Sequence, residues 1–187
     1  MNETLQTIAK RYSCRNFTDK VPGNEQLAAI AKAAIQSPSA MNRQPWRIVV
    51  LKNRQLIQEM EDEALQILAS MPDRSDYDRI MSRGGKLFYN APCMIMLPMP
   101  AAGSNGFEFI DLGIVCENIA LAATSLGLGN VICAFSRLAF SGSKAEEFKQ
   151  RSGFPDGFEC GAAVLVGYAV SPVDPHEPDE TKIIIIE

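Results

Sequence analysis

Two short stretches hold the side chains best suited to chemistry. Arg11, Ser13 and Arg15 lie two apart, so an extended chain would turn all three to one side. Two guanidinium forks and a hydroxyl on one face suit a phosphate, which arginine binds through bidentate, charge-assisted hydrogen bonds. Taken alone, so short a pattern reads first as a solvated basic edge. The second stretch is SPSAMNRQPW, residues 37–46. It places Ser39, Asn42 and Gln44 in a proline-flanked loop, and amides that donate and accept at once could read a polyol or the edge of a heterocycle. The alternative is that these groups satisfy the loop's own backbone. Trp46 reads as a core anchor.

Other chemistries find little support. His176 is the only histidine, and Cys14, Cys93, Cys116, Cys133 and Cys160 include no CxxC pair, so zinc, a disulfide framework and a Ser-His or Cys-His nucleophile are not expected. A net charge of −4 is the wrong sign for gathering nucleic acid or anionic lipid. The first residues, MNETLQTIAKRY, lack the apolar core of a signal peptide, and the uncharged runs 87–107 and 118–136 are broken by prolines or by polar residues and glycines. A cytoplasmic protein that neither spans nor binds membranes is therefore expected.

At about 150 residues per domain, the 187 residues make a single domain. Leu5, Ile8, Ala9 and Tyr12 predict a short helix over 3–12, and Leu27, Ile30, Ala31, Ala34 and Ile35 a second one between Pro22-Gly23-Asn24 and Ser37-Pro38. Strands are expected at 47–52, 93–99, 127–135 and 161–169, with helices at 54–69, 107–126 and 142–151. The Arg- and Asp-rich stretch 72–86 reads as an excursion with a helical turn or two. The helix over 107–126 is apolar nearly all round, which places it centrally or in a subunit interface. Helices alternate irregularly with four or five strands, an α+β pattern. Residues 171–187, with five acids, one lysine and three prolines, read as a C-terminal arm ending in the apolar run Ile183–Ile186.

RYSCRNF (11–17) and SPSAMNRQPW, followed by DLGIVCENIALAATSLGLGN (111–130) and GFPDGFECGAAVLVGYA (153–169), together resemble the FMN-dependent nitroreductase family. The resemblance covers nearly the whole chain. It implies a three-layer α+β fold, with a central, mostly antiparallel sheet flanked by helices, working as an intertwined homodimer with two FMN molecules at the interface. Carried over by position, Arg11, Ser13 and Arg15 would hold the FMN phosphate, with Tyr12 contributing through its backbone. Pro38, Ser39, Ala40, Met41 and Asn42 of the other subunit would line the flavin and its ribityl chain. Val131, Ile132 and Cys133 would lie at the reactive N5 edge, although Cys133 stands where the family commonly has glycine. Lys182 is the only basic residue of the tail available to the phosphate. The implied activity is transfer of two electrons from NAD(P)H to a small electron-poor acceptor, such as a nitroaromatic or quinone, by a ping-pong cycle. A flavin carrier or redox sensor without turnover is the competing reading, and a phosphate-ligand module without flavin is a third. Residues 172–180 would let Ile183–Ile186 pair as a strand on the partner's sheet; the alternative is a tail folded onto its own sheet edge.

Overall fold

The computed structural model describes residues 1–101 and 106–187; the part of the 87–107 run at 102–105 lies outside them. Four strands, β1 (Val49–Leu51), β2 (Cys93–Pro100), β3 (Gly129–Cys133) and β4 (Phe158–Gly167), form one sheet in the order β1-β2-β4-β3. Every neighbouring pair is antiparallel. The helices are α1 (Glu3–Lys10), α2 (Asn24–Ile35), α3 (Arg54–Ser70), α4 (Ser75–Met81), α5 (Glu108–Ser125) and α6 (Ala145–Arg151).

The two central strands, β2 and β4, decide the layering. Residues 93–99 are all buried, so β2 presents no face to water and both sides of the sheet must be covered. Alternation sends Met94, Met96, Ala163 and Leu165 to one side, where Leu56, Met60, Ala64 and Leu68 of α3 and Phe148 of α6 pack on them. Ile95, Leu97, Val164 and Val166 go to the other side, against Ile30 and Ala34 of α2 and Val115, Cys116 and Ile119 of α5, with Trp46 in the same cluster. The result is the expected three layers.

The register shifts once, between Leu97 and Pro98, where Leu97 opposes Ala162 and Pro98 opposes Cys160. Gly161 is the extra residue of this bulge, and a Cβ there would sit 3.0 Å from the carbonyl oxygen of Leu97. The bulge reverses the alternation and turns Cys160 toward α3. It also accommodates Pro98, which cannot donate to a ladder.

Most expected elements form, with boundaries moved by a few residues. The third strand stops at Cys133, and a 3-10 segment, Ala134–Phe140, follows it. The excursion at 72–86 contains α4. Among the described residues the tail forms no strand: its last backbone tie to the body is Val170 N–H to the carbonyl of Asn16, and Ile183–Ile186 are 69–90% exposed. On α5, one face is buried while Phe109 and Ile110 are 60% and 59% exposed. A single chain has only one sheet face to cover this helix, so the remainder of its apolar surface stays open. Among the described residues, no helix is long and apolar enough to cross a membrane.

The segment after α1 is held on β3 by close packing. Cys14 N–H donates to Asn130 C=O at 2.8 Å, and a Cβ on Gly129 would come within 2.8 Å of Cys14 Sγ and 2.9 Å of Cys14 Cβ. Gly129→Ala should therefore push residues 13–15 off the strand and cost about 1–3 kcal/mol. Urea unfolding tests this, and a midpoint equal to that of the unsubstituted chain would refute the contact's importance.

Candidate functional site

Residues 11–17 leave α1 in extended backbone at Arg11 and run alongside the sheet. Ser13 bridges Asn130 in parallel and Phe17 bridges Ala169, while Cys14 and Phe17 bury their side chains. Tyr12 packs against the α3-side core, which leaves its backbone as its outward contribution. The two arginines, however, engage different layers. Arg11 Nε lies 3.7 Å from Glu117 Oε1 on α5. Among the described residues Arg15 donates only to the carbonyl of Ser13, at 3.5 Å, and it lines a cleft on the α3 side with residues of α4 and the following loop. Ser13 lies between them, half-exposed.

The loop 37–46 is a built structure. Ala40–Asn42 form a 3-10 turn, and Met41, Asn42 and Gln44 adopt left-handed φ values of 52°, 53° and 48°. Such values are costly for a methionine or glutamine unless the surroundings impose them. The imposing contacts are specific. Buried Asp111, in the first turn of α5, accepts from Ala40 N–H at 3.0 Å, and Ser39 Oγ accepts from Gln44 N–H at 2.9 Å. Gln44 Nε2 donates to Asn42 Oδ1 at 3.0 Å. The side chains of Asn42 and Gln44 thus bond each other and not the loop backbone, which only Ser39 serves, and the turn leaves Met41 70% exposed. Pro38 and Asn42 are exposed too, with Ser39 and Ala40 half-buried.

Asp111 and Glu117 both stand on α5, six residues apart. That separation is about 9 Å along the helix and about 120° around it. One chain therefore presents the 11–15 segment and the 38–42 loop on different sides of the same helix.

On β3, Val131 and Cys133 are buried against the α3 layer, while Ile132 is 43% exposed. Asn130 C=O points off the sheet edge toward Cys14 N–H, so two residues on the backbone of Ile132 faces the same open edge. The backbones of Val131 and Cys133 alternate to the β4 side, so of the three residues only Ile132 presents its backbone to the open edge. Burial pushes the Cys133 thiol up to about 11, which leaves it protonated at neutral pH and unsuited to redox exchange. Lys182 pairs with Asp179 at 3.6 Å within an exposed 3-10 turn.

Two contributors escaped the sequence reading. One is Asp111, an acid in the first turn of an otherwise apolar helix. The other is the cleft of about 200 Å³ that Arg15 shares with Arg79, Arg83, Lys86, Tyr89 and Phe135. Its signal was present, since Arg79, Arg83 and Lys86 follow an i, i+4, i+7 spacing. No cluster of three or more potential metal ligands occurs among the described residues.

The fold and the order of these segments define a flavoprotein class known from many solved structures. The model of the nitroreductase family matches residues 8–168, and the chain belongs to that family. A crystal structure of a nitroreductase with bound FMN from Desulfitobacterium hafniense DCB-2 is 55% identical, covers 100% of both chains and superposes with a TM-score of 0.96. An Archaeoglobus fulgidus protein provisionally named NADH dehydrogenase/NAD(P)H nitroreductase is 26% identical over 183 residues, 96% of this chain and 93% of its own. The major NAD(P)H-flavin oxidoreductase of Aliivibrio fischeri is 24% identical, over 94% of this chain and 88% of its own.

Asp111→Ala should release the 39–44 turn, at a cost of about 1–3 kcal/mol for the orphaned Ala40 N–H. Amide exchange at residues 39–44 should accelerate, whereas Asp111→Asn, which keeps an acceptor, should retain most of the protection. Unchanged exchange in the alanine variant would show that the turn stands without its anchor.

Proposed function

We propose that the chain is an FMN-dependent NAD(P)H oxidoreductase that reduces small electron-poor acceptors, such as nitroaromatics or quinones, in a ping-pong cycle. The observation that carries this reading is the pairing of Ser13 with Asn130. It sets a phosphate-type segment beside the open edge of β3, with the Ile132 backbone about 7 Å further along the strand. The FMN bound by the Desulfitobacterium relative, and the NAD(P)H in the names of the other two, point the same way.

The residues present fit the group. Among the described residues Arg11, partly exposed, has a single carboxylate at 3.7 Å and Arg15 has none, so both retain capacity for a phosphate dianion. Arg11, Ser13 and Arg15 would hold the phosphate, with the backbone of Tyr12. Of Val131, Ile132 and Cys133, which would border the ring, Ile132 turns its N–H to the open edge, where no described residue accepts from it. When bound, FMN supplies the chemistry, accepting a hydride from the nicotinamide and passing two electrons to the acceptor. The protein's part is to orient the ring, exclude water from one face of it, and leave the other face open for donor and acceptor in turn.

The second half of the site comes from a second copy of the chain. Pro38, Ser39, Ala40, Met41 and Asn42 lie on a different side of α5 from the phosphate segment, so a partner's loop completes each site. The exposed Phe109 and Ile110 of α5, Leu5 and Ile8 of α1 and the tail isoleucines supply apolar surface for such a homodimer. In this reading residues 171–187 are an arm of a single domain 1–187. They deliver Ile183–Ile186 to the partner and carry Lys182 toward a phosphate.

Heat release of the chromophore and its mass should identify FMN; recovery of FAD, or no flavin after reconstitution with FMN, would sink the assignment. Anaerobic mixing with NADH or NADPH should bleach the bound flavin rapidly, and a flavin that stays oxidised would favour the carrier reading. Deletion of residues 181–187 should loosen the dimer and lower FMN affinity together. Sedimentation across a dilution series, with flavin fluorescence on the same samples, reads both, and an equally tight, FMN-loaded dimer would rule out the swapped arm.

A further inference from the structure

Beyond the last residue of β3 the chain turns into the 3-10 segment Ala134–Phe140, and a cavity of about 400 Å³ opens between that segment and the start of β4. Sites that take up a whole small molecule span roughly 300–1,000 Å³, so the cavity is of a size to hold one. Its walls are largely apolar. Phe135 and Leu138 are half-buried there, Phe140 and Cys160 are buried, and all four belong to or pack against the α3-side core. The segment is pinned in place: Ser136 Oγ donates to the carbonyl of Cys133 at 2.7 Å, and the Phe140 ring stacks on Phe154 with centroids 5.0 Å apart.

Two charged side chains, Glu159 and Arg137, line the cavity as well. Glu159 is engaged, accepting from Lys149 Nζ at 2.6 Å. Arg137 is exposed and, among the described residues, its guanidinium has no hydrogen-bond or ion-pair partner. Its charge reaches the cavity floor: burial drives the Cys160 thiol up to about 12, and the positive charge of Arg137 opposes that rise. A guanidinium with spare donors beside aromatic and aliphatic walls suits a flat, apolar anion, and its planar fork matches a carboxylate through two parallel hydrogen bonds.

The cavity adjoins the residues assigned to the flavin. Ala134, on its wall, directly follows Cys133, the last of the three that would border the ring. Phe135 lines both this cavity and the cleft that contains Arg15.

We propose that this cavity anchors the electron acceptor and that Arg137 selects electron-poor aromatic acids, holding their carboxylate and leaving the reducible group free to reach the flavin. The inference rests on the reading of the chain as an FMN-dependent NAD(P)H oxidoreductase and names the class of its acceptor. For a nitroaromatic acid the donor already invoked balances the step. NAD(P)H gives a hydride, solvent gives a proton, and the nitro group loses one oxygen as water to become a nitroso group. The carboxylate is unchanged throughout, so Arg137 sets specificity and supplies no proton.

The test uses the FMN-loaded protein and a matched pair of acceptors, para-nitrobenzoate and para-nitrobenzamide, which share the reducible group and differ in charge. The acid-to-amide ratio of kcat/KM should fall about tenfold or more in Arg137→Ala and further in Arg137→Glu, while Arg137→Lys should keep part of it. FMN affinity, read by fluorescence, and kcat/KM for the nicotinamide donor should stay within about twofold. Benzoate, which carries no reducible group, gives a readout independent of turnover. In calorimetric titrations it should bind about tenfold or more tightly than benzamide, and Arg137→Ala should abolish the preference. Arg137 is exposed, so folding is not at stake, and far-UV circular dichroism verifies this. Equal binding of benzoate and benzamide would overturn the proposal. An unchanged acid-to-amide ratio in Arg137→Glu would overturn the acceptor assignment even where benzoate binding depends on Arg137. A protein that takes up no FMN defeats the underlying reading alone, because the benzoate titration on the flavin-free chain still decides whether Arg137 holds an aromatic acid.

Discussion

A central strand pair with no wet face governs this molecule. Because β2 is buried from Cys93 to Met99 and β4 lies beside it, helices must cover both sides of the sheet. The layer of α3 and α6 covers one side, and α2 and α5 the other. Everything functional hangs on the edges and ends of this sandwich. The segment after α1, residues 11–17, lies along the outer edge of β3, where a strand has backbone groups to spare. The 38–42 loop is tied to the start of α5, and the basic cleft to α3 through Glu61.

Charge is distributed with a consistent division of labour. The buried carboxylates Asp111 and Glu61 serve backbone N–H groups of strained loops, and each is a hydrogen-bonded acceptor, so burial costs less than it would for a bare ion. Both hold segments with left-handed residues. Among the described residues the guanidinium groups of Arg15 and Arg83 have no acid as a partner. A chain of net negative charge thus offers anions a local positive target while its acids elsewhere discourage non-specific association.

The apolar surface left open by one chain is as informative as the surface it buries. Phe109, Ile110, Leu5, Ile8 and Ile183–Ile186 are each between 49% and 90% exposed. Scattered singly, such residues mean little, but here they lie on α1, α5 and an arm, beside the elements that carry half a site. In the proposed dimer a second copy would cover them and bring its 38–42 loop to the 11–15 segment in the same step.

The amino-acid sequence alone determined the local elements and the chemistry each could support. Periodicity in 24–35 and 54–70 and the apolar runs 93–100 and 158–167 reflect burial on one face or two, a property written residue by residue. The extended spacing of Arg11, Ser13 and Arg15 was legible for the same reason, and the four segments in order carried the family resemblance. The tertiary structure decided the rest, because it depends on contacts between residues far apart in the chain. Which way Arg11 and Arg15 turn depends on Glu117 and on α4. That Asp111 anchors Ala40 spans 71 residues of chain, and that Glu61 anchors Phe88 spans 27. The cleft formed by Arg15 with Arg79, Arg83 and Lys86 joins two segments that read separately as a basic edge and a polar excursion. Only packing on the shared layer turns them into one site.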